Sequence, residues 1–251
     1  MKKGTFYARK LKQVYGKFRG CAAVKSMPEP TPPVEQLIVA VLSQETSTAQ
    51  AQKVLKRLGE DMVDYNELRV STPEEVAVSI SKHVPHTVER ATELIRLLNA
   101  IYQTEYAVSL DSLTSKGVRE IKSHLEKLDG ITPYVTASVL LWSLGGHAIP
   151  VSDRVVEFLK EEDMVDPGAS CAEVQAFLER HVSAADARSF CLDLEAYVLS
   201  KSGKSAAQRK KRPTAKKKIT SKTKPAGKRK VKIAAKRTSK AARKTKKKTR
   251  R

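Results

Sequence analysis

Residues 115–159, SKGVREIKSHLEKLDGITPYVTASVLLWSLGGHAIPVSDRVVEFL, concentrate the groups that chemistry could use. Asp129-Gly130-Ile131 reads as a short turn between a helix expected to end at Leu128 and one expected to begin at Thr132-Pro133. Thr is a good N-cap and Pro suits the first helical position. A turn of this kind presents backbone N–H groups beside a helix N-terminus, which makes a seat for a phosphate. The same residues equally suit a plain connection between packed helices. Further on, VSDRVVEFL reads as a helix start in which either Ser152 or Asp153 caps the first turn.

The other polar groups point to less. His83, His86, His124, His147 and His181 show no metal-ligand spacing, and His83 and His86 straddle a Val-Pro pair, so they read as surface imidazoles and no metal site is expected. Cys21, Cys171 and Cys191 read as small hydrophobes or idle thiols. Three cysteines without a CxxC pair exclude a disulfide framework and a cysteine-only zinc site. Trp142 and Tyr197 sit in apolar stripes and read as core rather than as stacking platforms. The GKS at 203–205 lacks the upstream glycine and strand of a P-loop.

The elements that must position these residues are helical. Val34, Leu37, Ile38, Val41 and Leu42 recur at helical spacing after PEPTPP. STAQAQKVLKRLG is a further helix with Gly59 placed as its C-terminal cap. Thr72-Pro73 with Glu75 is a capping-box start for a helix through Ile80. Apolar stripes follow at Ala91–Leu98, Val118–Leu125, Val139–Trp142, Val155–Leu159, Val174–Leu178 and Phe190–Tyr197, and no segment alternates with period two. Eight to ten helices in one or two packed subdomains are expected, an all-α fold large enough to bury a sizeable core.

Charge divides the chain in three. Of 48 Lys+Arg against 27 Asp+Glu, residues 201–251 hold 25 basic residues and no acid, and residues 1–30 hold 8 against one. Residues 31–200 therefore carry a net charge of −11 inside a chain of +21. The reading is a basic N-terminal arm (1–30), a helical domain (31–200) and a disordered Lys/Arg-rich tail (201–251), since the tail has too little apolar surface to offset the entropy of ordering. Such a tail binds polyanions in a salt-sensitive, sequence-blind way. There is no run of about 18 apolar residues and no signal-peptide pattern. A soluble, cytoplasmic, nucleoid-associated protein with DNA as its partner is expected, without membrane contact and as a monomer.

Three segments, in order, carry a resemblance. AVLSQETSTAQAQKVLKRL, LDGIT and HAIPVSDRVVEFL resemble the first conserved helix with its LSQ-x-T turn, the LPGVG hairpin and the aspartate-bearing segment of the helix-hairpin-helix (HhH-GPD) DNA glycosylases, the superfamily of endonuclease III. The resemblance covers roughly residues 30–200, with the hairpin near 115–145, and the tail is similar in composition to those of linker histones. It implies a two-lobed helical fold that excises a damaged or mispaired base by breaking its N-glycosidic bond.

On this resemblance Asp153 takes the place of the catalytic aspartate, which stabilises the positive charge developing at the sugar. Gly130, Ile131 and Thr132, with Lys127 and Arg154 nearby, would hold DNA phosphate, while Gln44 and Thr46 stand where members approach the lesion. Tyr134 occupies the position of the lysine that forms a Schiff base in bifunctional members, and no lysine lies between Lys127 and Lys160. The resemblance thus implies a monofunctional enzyme using water, with AP-lyase chemistry closed. The iron–sulfur ligands of many relatives are missing, so no cofactor is expected. The alternative is a non-catalytic DNA-binding or nucleoid protein built on a degenerate glycosylase fold.

Overall fold

The computed structural model describes residues 4–22, 27–62, 64–80 and 84–211, with side chains as far as residue 201. Among these residues the chain is all helical: α1 (Gly4–Phe18), α2 (Pro33–Ser43), α3 (Thr48–Asp61), α4 (Tyr65–Val70), α5 (Pro73–Ile80), α6 (Thr87–Glu105), α7 (Val118–Leu125), α8 (Pro133–Trp142), α9 (Asp153–Glu161), α10 (Cys171–His181) and α11 (Ala187–Lys211), with one 3₁₀ turn at Asp111–Leu113. No helix among them is long and apolar enough to cross a membrane. Residues 212–251, most of the expected tail, lie outside the described residues.

Two hydrophobic cores form. The first gathers α2 to α8 around Leu37, Leu42, Leu94, Leu98, Ile101 and Val139. The second gathers α1, α9, α10 and α11 around Phe18, Leu159, Leu178 and Phe190. α8 serves both: Val135 and Val139 enter the first core and Leu141 the second. Its sequence PYVTASVLLW is apolar on nearly every face, as a helix enclosed on all sides must be. The α8 C-terminus is closed from α11, where Arg188 Nε and Nη2 donate to the carbonyls of Leu141 (3.1 Å) and Trp142 (3.0 Å).

The capping box at Thr72 forms as the sequence predicts. Glu75 N–H donates to Thr72 Oγ1 (3.3 Å), Thr72 N–H donates to Glu75 Oε2 (2.9 Å), and α5 ends at Ile80. Three expectations are corrected. α3 runs through Gly59 to Asp61 and ends on Met62 in extended conformation, so Gly59 is helix interior rather than cap. α7 stops at Leu125 instead of Leu128, because the N–H groups of Lys127 and Leu128 donate three residues back and tighten the chain into the hairpin.

The third correction concerns the N-terminus, which is a core helix and not an arm over residues 4–18. Tyr7, Leu11, Val14 and Phe18 fall on one helical face and are buried in the second core. Fully burying a side chain of this size contributes about 1.5–3 kcal/mol, more than the solvated basic residues on the other face cost. The end of α1 is held by buried Asp193, which accepts from Gly20 N–H (2.9 Å) and Ala22 N–H (3.0 Å). At the other boundary α11 crosses position 200 without a break and continues to Lys211.

Candidate active site

The hairpin between α7 and α8 is set by three local choices. Gly130 sits at φ +85, a left-handed conformation that glycine adopts at no steric cost. The stem of Arg96 on α6 packs beneath it, its Cδ 3.1 Å from where a Cβ would lie, and its guanidinium pairs with both carboxylate oxygens of Asp129. Hydrogen bonding to Arg96 holds the Asp129 carboxyl below the usual carboxylate range. Ile131 N–H is spent on the Leu128 carbonyl (3.2 Å). Thr132, which stands where the resemblance has a second glycine, is at φ −101 and caps α8 by accepting from Val135 N–H (3.3 Å). A left-handed conformation is therefore not required at Thr132.

Asp153 begins α9. Ser152 takes the cap position, yet its side chain makes no capping bond, and among the described residues the Asp153 carboxylate has no hydrogen-bond or ion-pair partner. It is an exposed anion in the first turn of a helix, where the macrodipole favours it. Its neighbour Arg154 points elsewhere: Nη2 donates to the Glu45 carbonyl at 2.7 Å, joining α9 to the turn between α2 and α3.

Asp153, Tyr134, Gln44, Thr132, Arg154 and Arg90 line one cleft of about 450 Å³. Its floor is the Tyr134 side chain, whose phenol shares a hydrogen bond with Ser43 Oγ (3.1 Å). Burial pushes Tyr134 up to about 12, so it stays neutral at physiological pH. The Gln44 amide is engaged on both sides, donating to Glu93 Oε1 (2.9 Å) and accepting from Arg90 Nη1 (3.0 Å), so reaching into a base stack requires breaking both bonds. Arg90 also pairs with Glu93 (2.6 Å) and Glu45 (2.8 Å), while its buried Nε has no hydrogen-bond partner among the described residues.

A smaller recess of about 70 Å³ adjoins the cleft and shares Tyr134, Gln44, Ser152 and Arg154 with it as lining. Thr46 belongs to this recess and not to the cleft, as do Trp142, Cys191 and Glu195. Burial pushes the Cys191 thiol up, so it remains protonated. Lys127 is exposed and lines neither space, and Gly130 and Ile131 stay within the hairpin turn. Tyr197 packs against Phe18 and Phe158 as core, whereas half-buried Trp142 both packs on the second core and lines the recess. Arg90, Arg96, Glu45 and Glu195 escape sequence reasoning, because each lies on a polar helix face or turn with no local motif.

The cysteines do not fit a four-thiolate cluster. Cys21 follows α1, Cys171 starts α10 with Sγ on the Val151 carbonyl (3.2 Å), and Cys191 is inside α11. No group of three or more potential metal-ligating side chains forms among the described residues.

No protein-family model and no curated protein matches the sequence. Solved structures do match. A trapped endonuclease III–DNA covalent intermediate superposes with a TM-score of 0.58 at 20% identity, covering 78% of this chain and 86% of that one. A thermostable thymine-DNA glycosylase gives 0.55 at 16% identity over 76% and 86%. The H. pylori 3-methyladenine DNA glycosylase MagIII, bound to 1,N6-ethenoadenine, gives 0.54 at 16% identity over 80% and 99%. The fold is that of the helix-hairpin-helix DNA glycosylases, as the three sequence segments imply.

Proposed function

We propose that this protein acts in base-excision DNA repair as a monofunctional glycosylase, hydrolysing the N-glycosidic bond of a damaged or mispaired nucleotide. One observation carries the reading: the Asp153 carboxylate, without a partner among the described residues, lines the same cleft as Tyr134 and the α8 N-terminus at Thr132, beside the hairpin. A base turned out of a duplex enters such a cleft. As the C1′–N bond breaks, its electron pair leaves with the base and positive charge develops at the sugar. Asp153 stabilises that charge through space, and no hydrogen bond among the described residues draws on its carboxylate. A water then adds to C1′ and gives its proton to Asp153. Tyr134 stands where a lysine would attack and is held neutral and hydrogen-bonded to Ser43, so it shapes the cleft without forming a covalent bond. The hairpin seats a phosphate through its backbone, and Arg154 and Lys127 add positive charge. The chemistry draws on no cofactor, and the protein works as a monomer on nucleoid DNA.

The test is single-turnover release of base from duplexes carrying uracil, oxidised purines, thymine glycol or an A·G mispair. Release from at least one, reduced about 10²-fold or more by Asp153→Asn, is expected. Release unchanged by Asp153→Asn overturns the role of that residue. Lesion-blind, salt-steep binding with no release at all makes the protein a non-catalytic DNA binder instead.

A further inference from the structure

The recess beside the cleft has a chemistry of its own. Its wall carries the half-buried ring of Trp142 and the carboxylate of Glu195, which reaches in from α11. Glu195 is fixed in place by the start of α3: Oε1 accepts from Thr48 N–H (2.7 Å) and Oε2 from Thr48 Oγ1 (2.9 Å). Each oxygen keeps a further lone pair, because a carboxylate has about four acceptor sites and no donor. The recess, about 70 Å³, has room for the edge of a ring, and the residues it shares with the wider cleft put that cleft beside it. Whatever edge meets Glu195 must bring N–H groups, since an acceptor facing a carboxylate in a part-enclosed site is left unpaired and repelled.

We propose that Glu195 and Trp142 select the base that enters: one bearing an exocyclic amine, with the guanine-type edge favoured most. The proposal rests on the base-excision reading for the ligand being a base extruded from DNA. A guanine-type edge offers N1–H and N2–H side by side to the two carboxylate oxygens. Adenine- and cytosine-type bases offer one amine beside a bare ring nitrogen, so one carboxylate oxygen gains a donor and the other meets an acceptor. Uracil- and thymine-type bases offer a single N–H flanked by two carbonyl oxygens, which point toward the carboxylate and oppose entry. The Trp142 ring provides an aromatic surface beside the entering base, and such contacts do not discriminate among bases. Discrimination therefore falls on Glu195. A hydrogen bond to an ionised acceptor, set against an unpaired buried acceptor, shifts the entry equilibrium about tenfold or more.

Trp142 is the sole tryptophan of the chain, so its emission reports occupancy of the recess with or without catalysis. The full chain is titrated with duplexes that carry one unpaired base opposite an abasic-site analogue, with a 2′-fluoro sugar at that nucleotide to block bond cleavage. A fully paired duplex sets the background. Guanine is expected to quench Trp142 most at saturating duplex, with an entry equilibrium about tenfold or more above that of thymine and uracil, and adenine and cytosine fall between. Glu195→Gln keeps an acceptor for Thr48 N–H and is expected to level the series. Equal quenching by guanine and thymine in the unaltered protein overturns the proposal, whatever the variant does. So does quenching no greater than that of the paired duplex, and so does a folded Glu195→Gln variant that still discriminates. The two readings separate cleanly. Discrimination in emission without any released base removes the enzyme and leaves the recess, whereas Asp153-dependent release with a flat emission series does the reverse.

Discussion

Arg154 Nη2 donates to the backbone carbonyl of Glu45 at 2.7 Å, while the adjacent Asp153 carboxylate, in the cleft that all three line, has no partner among the described residues. The two neighbours divide the work at the start of α9. Arg154 ties α9, rooted in the second core, to the turn after α2, rooted in the first, and so fixes how far Asp153 stands from Tyr134. Arg154→Ala removes that tie without touching the anion. A charge-assisted bond at an exposed site contributes at most about 1 kcal/mol after solvent screening, so the melting temperature falls by only a few degrees. Base release falls about tenfold or more, because small displacements of a charge-stabilising group cost rate steeply. Arg154→Lys recovers part of it. A drop in melting temperature with no change in single-turnover rate contradicts this account.

Gly130 meets two demands at once. Its φ of +85 costs a residue with a Cβ about 1–2 kcal/mol, and the Arg96 stem at 3.1 Å leaves that Cβ no room unless the stem shifts. Gly130→Ala therefore destabilises the fold, measured by thermal or urea unfolding, and shifts the hairpin. Combining it with Arg96→Ala relieves the close approach but not the φ, so the double variant is less destabilised than the sum of the two single changes. Strict additivity shows that Arg96 does not brace the turn.

Much of this was legible in the sequence, for physical reasons that also mark where reading stops. Apolar periodicity locates α2 and α5, and Thr72 with Glu75 fixes the start of α5, because local hydrogen bonds and one buried face decide those elements. α1 was hidden: its charged residues are all Lys or Arg, four in fifteen, and only the spacing of Tyr7, Leu11, Val14 and Phe18 betrays the face that packs. Gly59 misleads because the α3 core face, Val54 and Leu58, keeps the helix going past a residue that only weakly opposes it. The site follows the same rule. Asp153, Tyr134 and the hairpin lie in one short stretch and can be read, and the cleft does gather Asp153 with Tyr134 and Gln44. Arg90, Arg96 and Glu195 arrive from helices distant in sequence, where a lone charge on a polar face looks like any other.

Tyr134 makes the fold sensitive to alkali in a predictable direction. Burial raises its phenol from 10.0 to about 12, so the native state holds its proton over a range where the unfolded chain releases it. The stability this gives is complete below pH 10 and is lost as pH rises from 10 toward 12, at most about 2–3 kcal/mol for a group so deeply enclosed. Tyr134→Phe gives up the hydrogen bond to Ser43, about 1 kcal/mol at pH 7, and in exchange flattens the alkaline decline. Tyr65, also raised to about 12 by burial with Glu35 nearby, leaves a residual slope in both proteins. Melting temperatures from pH 8 to 11 decide the matter: parallel curves for the two proteins exclude Tyr134 as the source.

Charge and fold separate in the last prediction. Truncation after Lys211 removes residues 212–251 with 20 of the 48 Lys+Arg but leaves the compact unit Met1–Lys211, which contains both cores. Each phosphate neutralised on a duplex adds about 0.9 to the slope of log affinity against log salt. If the tail supplies the sequence-blind affinity, the shortened protein binds undamaged duplex about 10²-fold or more weakly near physiological salt and shows a slope smaller by several units. Its melting temperature is expected to be unchanged, since the two hydrophobic cores lie wholly within the part that remains. Single-turnover release, measured at protein concentrations that saturate the lesion duplex, is retained because Asp153, Tyr134 and the hairpin are intact. An unchanged slope in an anisotropy titration places the phosphate contacts on the folded unit, despite the net charge of −11 on residues 31–200.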